Sequence, residues 1–350
     1  MNTQLDSSII INDSIATINT GITPAGIAIT PDGNYAYIAN NNNYGLAGED
    51  SVTVLNLPDN TVLTTIYHTS FNQPYTVSID PTGTYAYVSN SHDSTVSVID
   101  IAINNVVQVI DGFDGPSGFA ITADGSKAYV NNYGGPNGVK SGNGTSVNVV
   151  NLQNKTIVGT ITVGLAPAAL ALSPDGKFCY VINYGDGNPN NGSLSIIDTS
   201  CDVVTNTVSG IGLSGPFAIA ITPDSAFAYI TNFGSNNFAP IGHHVIVVDL
   251  ANPSWTCAIA VGLQPAGIAI TPDGRHAFVS NYNTLYAGSN YTSLTAGQGT
   301  VNIIDIATNT LLPFTLPVGQ SPAGIAITPN GSNAYVTNYT SNTVSVISLP

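Results

Sequence analysis

Short apolar runs recur along the chain, each broken at a turn and followed by a second run in which large and small residues alternate. The segment from Pro24, PAGIAITPDGNYAYIAN, returns as PYTVSIDPTGTYAYVSN from Pro74 and PSGFAITADGSKAYVNN from Pro116. It returns again from Pro167, Pro216, Pro265 and Pro322, giving seven copies spaced by roughly 40 to 57 residues. The first run of each copy, such as Gly26 to Thr30, lacks polar alternation, which predicts a strand covered on both faces. Pro31–Asp32–Gly33 and its counterparts predict a tight hairpin, because Gly accepts positive φ. A second strand follows (Tyr35 to Asn40), then a third like Thr95 to Asp100, then a fourth like Thr156 to Ile161.

Four-stranded antiparallel units repeated at this period predict an all-β, seven-bladed β-propeller over residues 1–350, a single domain. The blade cores fall near residues 22–66, 72–110, 114–161, 165–208, 214–260, 263–316 and 320–348, the last completed by 12–18. The seventh copy has only three strands before Pro350, and Ser14–Ile18 matches the fourth strand that precedes every other copy. The N-terminal strand is therefore expected to close the ring and remove an open edge.

The strings at Tyr87–Asn90, Tyr229–Asn232 and Tyr335–Asn338 (YVSN, YITN, YVTN), with TVSVID behind them, resemble the YVTN family of propeller repeats. That resemblance implies the fold and, more loosely, a surface-layer or cell-surface setting. Related propellers include sugar-lactone hydrolases and an antibiotic-opening lyase, and fold analogy does not choose among them. Copper-cluster propellers use more histidines than the five present here.

Composition narrows the partners. Charged residues make up 7% of the chain, and its net charge of −15 arises because Lys127, Lys140, Lys155, Lys177 and Arg275 are its only basic residues. Phosphate backbones are bound by Lys and Arg clusters, so nucleic acid and anionic membrane surfaces are poor partners. Neither a secretory signal nor an apolar stretch of about 20 residues is present, so no membrane insertion is expected. The expected setting is cell-surface or extracellular, with cytoplasmic as the alternative. Cys179 stands where other copies have Ala and reads as core, while Cys201 and Cys257 leave one bridge open as an option. The sequons at Asn143 and Asn290 are expected by chance in a chain so rich in Asn, Ser and Thr.

The connections between second and third strands vary in length, while the Pro-Asp-Gly turns barely do. Repeat proteins carry insertions on one face, often the binding face, so the long loops mark the functional side. An aromatic follows the last Asn of five copies: Tyr133, Tyr184, Phe233, Tyr282 and Tyr339. Such a recurring residue either packs the base of its own loop or meets a partner. Tyr44, Tyr286 and Tyr291, in longer insertions, are expected to contact a partner, since Tyr joins a broad apolar face to a polar tip. The insertion from Tyr282 to Gly299 is expected to be a binding loop without secondary structure.

Catalytic signals are sparse. The Asn that ends every second strand recurs seven times and reads as structural, as do the turn aspartates. Adjacent His243 and His244 are expected on opposite faces of a strand, unable to share a metal. His92–Asp93 is the sole His beside a carboxylate. Asp186, Asn188 and Asn190 put oxygen ligands at alternate positions, as in a calcium loop. Asn191 stands where an EF-hand needs Gly, however, and Ile197 where it needs Glu, which favours a plain polar loop.

No cofactor motif is present. The expectation is a non-catalytic recognition or surface-assembly propeller that binds a protein or glycan on its long-loop face, with self-assembly open. The alternatives are a hydrolase or lyase acting on a small lactone-like ring at the central mouth, and a structural shell component. A shell would use the outer strands near Trp255 or Leu311 to Phe314.

Overall fold

The computed structural model describes residues 15–42, 49–135, 142–186, 188, 191–234, 241–254, 256–287 and 293–349. The apolar runs become strands close to where the pattern puts them. Blade 1 consists of Pro24–Ile29, Tyr35–Asn40, Ser51–Asn56 and Thr61–Tyr67, paired antiparallel in that order from the axis outwards. Six further four-stranded sheets repeat the plan, so the fold is a seven-bladed all-β propeller. Second and third strands are buried almost throughout, and that is why their sequences run apolar on both faces.

The hydrophobic core sits between blades rather than within them. Its seven clusters each span one interface: Tyr37, Val52 and Val54 of blade 1, for example, pack on Val77, Val88 and Ile99 of blade 2. The aromatic of each second strand serves this interface. Tyr37 Oη donates to Asn104 Oδ1 at 2.5 Å and Tyr229 Oη to Asn309 Oδ1 at 2.5 Å, each reaching the outer turn of the next blade. Those turn residues have φ of 50° and 54°, a left-handed conformation that Asn tolerates well. One residue type thus shapes the turn and accepts the neighbour's hydroxyl.

Ring closure follows the expected plan. Ala16–Asn19 pairs with Thr343–Ser348, with Ile18 opposite Val344 and Asn19 opposite Thr343. Across the same seam Tyr335 Oη donates to Asn60 Oδ1 (2.7 Å) and Thr337 Oγ1 to the Ala25 carbonyl (2.6 Å). Ile18, Tyr335, Val344 and Val346 pack against Ala36, Ile38 and Leu55 of blade 1.

Two expectations on the loops need correction. The insertion after Tyr282 contains a hairpin, Thr284–Ala287 paired with Ser293–Ala296, rather than structureless loop. In blade 5, His243 and His244 do not diverge: their ring centroids lie 4.0 Å apart, beside a register shift between Asn232 and Gly234 that distorts the alternation of side chains. Cys201 and Cys257 are free thiols, and Cys179 is buried as its position in the repeat implies.

The tight turns make the opposite face a scaffold. In the common form a Thr hydroxyl and the backbone bind one aspartate, as Thr30 Oγ1 (2.5 Å) and Asn34 N–H (3.0 Å) bind Asp32 Oδ1. Blade 2 swaps the pair: Asp80 holds the first position, and Thr82 donates back to it at 2.9 Å. Hydrogen bonds from Thr122 and Ser126 hold the Asp124 carboxyl at about 2, and Ser173 and Lys177 do the same for Asp175. A carboxylate depressed in the folded state stabilises it fully above the unfolded value of 3.8, and that contribution is lost as pH falls through about 2. An Asp124→Asn, Asp175→Asn double variant is therefore expected to lose less stability than the parent between about pH 4 and pH 2. Acid titration by circular dichroism would show the difference.

Candidate functional site

Every blade pins one residue at the axial end of the long-loop face by the same two devices. The residue before the inner-strand proline takes a left-handed backbone: φ is 49° at Thr23, 50° at Gln73, 52° at Ala166, 53° at Gln264 and 53° at Ser321, with Gly115 and Gly215 completing the set. Its carbonyl then accepts the backbone N–H of the residue that follows the recurring Asn. The bonds run from Asn41 to Thr23 (3.1 Å), Ser91 to Gln73 (3.2 Å), Tyr133 to Gly115 (3.1 Å) and Tyr184 to Ala166 (2.8 Å). Phe233 to Gly215, Tyr282 to Gln264 and Tyr339 to Ser321 follow at 3.0 Å each. Non-glycine residues in this region cost on the order of 1 kcal/mol each and cluster at functional sites.

The recurring Asn below each pinned residue is structural. Asn281 Nδ2 donates to Thr300 Oγ1 (3.1 Å) and Asn302 Oδ1 (2.9 Å), and five other blades repeat this against third-strand hydroxyls or amides. Blade 5 is the exception, because its third strand offers His244 and Ile246 at the matching positions. Asn232 turns instead to the Gly212 carbonyl (2.7 Å) and the Ser214 N–H (3.1 Å).

The five pinned aromatics meet one another around the axis instead of standing apart at their loop bases. Ring centroids are 6.4 Å apart for Tyr133–Tyr184, 5.8 Å for Phe233–Tyr282 and 6.3 Å for Tyr282–Tyr339, with interplanar angles of 70°, 65° and 49°. Tyr184 Oη bridges blades 4 and 5 by donating to the Gly234 carbonyl at 3.2 Å. Two aromatics that the repeat pattern had hidden complete the collar. Where the other inner strands carry Ala or Ser after the proline, blades 2 and 5 carry Tyr75 and Phe217. Phe217 stacks on Phe233 at 5.1 Å. The Tyr75 phenol is pushed well above its ordinary range, first by burial and then by Tyr133, Tyr339 and Tyr282. A blade-2 side chain within electrostatic reach of blades 3, 6 and 7 at once must lie near the axis. Burial also lifts Tyr133 to about 12, with Tyr184 adding to it. All seven residues are partly buried, with the remainder of each side chain open to solvent.

A second group of polar residues lies on the same face, between blades 1 and 2. Asn72 Nδ2 bonds Asp93 Oδ1 (2.6 Å) and His92 Nδ1 (3.1 Å), and His92 Nδ1 lies 3.2 Å from Asp93 Oδ1. Asp50 stands next to this group. Burial raises its carboxyl to about 6, against the pull of a hydrogen bond from Gln73 N–H; Asp93 adds to the rise and His92 opposes it. Asp50 Oδ1 is buried without a hydrogen-bond partner among the described residues.

The remaining sequence candidates fall elsewhere. Asp186 binds the N–H (3.0 Å) and Nδ2 (2.8 Å) of Asn188 and Nδ2 of Asn191 (3.0 Å), so local donors already occupy its carboxylate. Asn190, Tyr44, Tyr291 and Trp255 lie outside the described residues, as does the side chain of Tyr286. No cluster of three metal-ligating side chains occurs among the described residues. On the outer strands Leu311 is exposed while Phe314 packs inwards. The turn face has two shallow clefts. One, of about 300 Å³, lies between blades 7 and 1 beside Asp32 and Pro329; the other, of about 380 Å³, lies beside Asp175 and Phe178. Turn residues already committed to local hydrogen bonds line both, so neither resembles a site.

A family model described as "Lactonase, 7-bladed beta-propeller" matches residues 4–106, the stretch that holds Asp50, Asn72, Tyr75, His92 and Asp93. No curated protein matches the chain. Among solved structures, hydrazine synthase of Kuenenia stuttgartiensis is similar, with a TM-score of 0.79 and 22% identity. The alignment covers 95% of this chain and 97% of that one. At that identity the likeness carries the fold and no activity.

Proposed function

We propose that this chain is a recognition propeller, of YVTN type, that holds one exposed group of a protein or glycan partner on the aromatic collar of its long-loop face, at the cell surface or outside the cell. The observation that carries this is the convergence of Tyr75, Tyr133, Tyr184, Phe217, Phe233, Tyr282 and Tyr339 from six blades and two strand positions on one axial mouth. Binding energy at such sites concentrates in a few aromatic anchors, each worth on the order of 2 kcal/mol when truncated. Tyr282→Ala is expected to weaken capture of a partner, identified by pull-down and glycan array, by about tenfold or more. An Asp32→Ala variant on the turn face should bind like the parent. Equal binding by Tyr282→Ala and the parent would end this reading.

A hydrolase acting on a small lactone-like ring at the same mouth is the second reading. The family match over residues 4–106 and the Asp50, His92, Asp93 group within it favour that role. A carboxyl near 6 can both take and give a proton close to neutral pH. Base uptake with glucono-δ-lactone, compared between the parent and Asp50→Asn, tests it. General acid–base catalysis predicts a fall of about a hundredfold, and a parent rate equal to the spontaneous one removes the reading.

A further inference from the structure

We infer that the group received by the collar is an organic cation of the substituted-ammonium class; the inference rests on the recognition reading above. Rings crossed at 49° to 70° cannot close into one flat stack. Aromatic faces set at different angles around one mouth are what an ammonium group needs if it is to be held against more than one ring at once.

The charge distribution makes the same choice. Glu49, Asp50, Asp93, Asp114 and Asp186 all lie in the connections of the long-loop face. Among the described residues, Lys127, Lys155, Lys177 and Arg275 are the basic ones, and all four belong to the turn face. Lys127 pairs with Asp202 (2.9 Å), Lys177 with Asp175 (3.0 Å) and Arg275 with Asp273 (3.7 Å), while Lys155 sits over the Tyr85 ring (4.4 Å). The mouth therefore lies in a negative field that no described cation on its own face offsets. A phosphorylated or carboxylated ligand would need Arg or Lys forks, which the described residues of this face do not include.

A neutral sugar could stack on the rings but would gain nothing from the field. Asp50 adds a local element. Its Oδ1 is buried without a partner among the described residues, and the carboxylate is tied to Gln73, two residues before Tyr75 in the chain. It supplies negative charge at the edge of the collar that local hydrogen bonds leave incompletely satisfied.

The test is isothermal titration of the full chain with choline and benzyltrimethylammonium, set beside 3,3-dimethylbutan-1-ol, the uncharged isostere of choline, and glucono-δ-lactone. The ammonium probes should bind roughly tenfold more tightly than the isostere, and raised salt should weaken them. Tyr282→Leu, which keeps apolar bulk but removes the π face, should lose that preference, and Tyr282→Phe should retain it. Thermal melts of both variants confirm that each is folded.

Equal binding of choline and its isostere would overturn the cation inference and leave the recognition reading standing. So would binding of the lactone or of a captured partner through Tyr282 with no binding of the ammonium probes. If collar variants change neither probe binding nor partner capture, both fall.

Discussion

Removing the N-terminal strand through Asn19 is expected to destabilise the entire ring, not merely blade 7. Ile18 is buried against Val344 and Val346, and truncating one such core side chain costs about 2–5 kcal/mol on its own. Deletion also removes the ladder opposite Thr343 to Val346 and uncovers the third strand Thr343–Ser348 as a free edge. The expected loss exceeds that of Ile18→Ala, and the new edge should drive concentration-dependent association. Calorimetry of the deletion, of Ile18→Ala and of the parent, with size-exclusion profiles at several concentrations, measures both effects. A deletion that melts with the parent would show that the seam holds without its outer strand.

Gly262→Ala should be nearly as damaging, although it adds a single methyl group. A Cβ there would lie 2.6 Å from Asn281 Cγ and 2.7 Å from its Nδ2, inside the buried bonds to Thr300 and Asn302. Gly21, Gly164 and Gly319 stand in the same way against Asn40, Asn183 and Asn338, so in these four interblade links the glycine and the Asn of the adjoining strand form one packing unit. Overpacking costs about 1–3 kcal/mol and a disrupted buried hydrogen bond about 1–3 more. A loss near 3 kcal/mol in urea unfolding is expected. Asn281→Ala should cost less in the Gly262→Ala background than in the parent, because its side chain is what the new methyl strikes. Strict additivity of the two changes would contradict this account.

The fold was legible because each blade restates it. Seven copies fix the turn, the aromatic and the terminal Asn, and strands such as Tyr35–Asn40 and Thr95–Asp100 end where the pattern ends. The hairpin inside the blade 6 insertion was not legible. Thr284–Ala287 and Ser293–Ala296 are four residues each, too short for alternation to stand out among Gly, Ser and Thr.

For the site, the five recurring aromatics could be picked out, but their meeting could not. Tyr75 and Phe217 sit within an inner-strand run that reads as core, and only the closed ring brings Tyr75 near blades 6 and 7. Their departure from Ala or Ser at the same repeat position was the available signal. Asp50 gave none, since its burial depends on the neighbouring blade. For the histidine pair, the strand rule failed at a local irregularity that periodicity does not encode.

The seam also sets an order of events during folding. Blades 1 to 6 are each built from contiguous chain and can form soon after they are synthesised. The contacts that close the ring join Thr23 to Asn342 and Ala25 to Thr337, 319 and 312 residues apart. Those are among the most non-local contacts in the ladder of repeats, and non-local pairing is slow because the entropy of closing the loop comes before any gain. Until then Ala16–Asn19 has no partner strand and the inner face of blade 1 is uncovered. Refolding should therefore show an early phase that restores most strand signal and a later one that restores the protection of Ile18, Ala36 and Ile38. During the interval between them the half-built ring is most exposed to pairing with another chain.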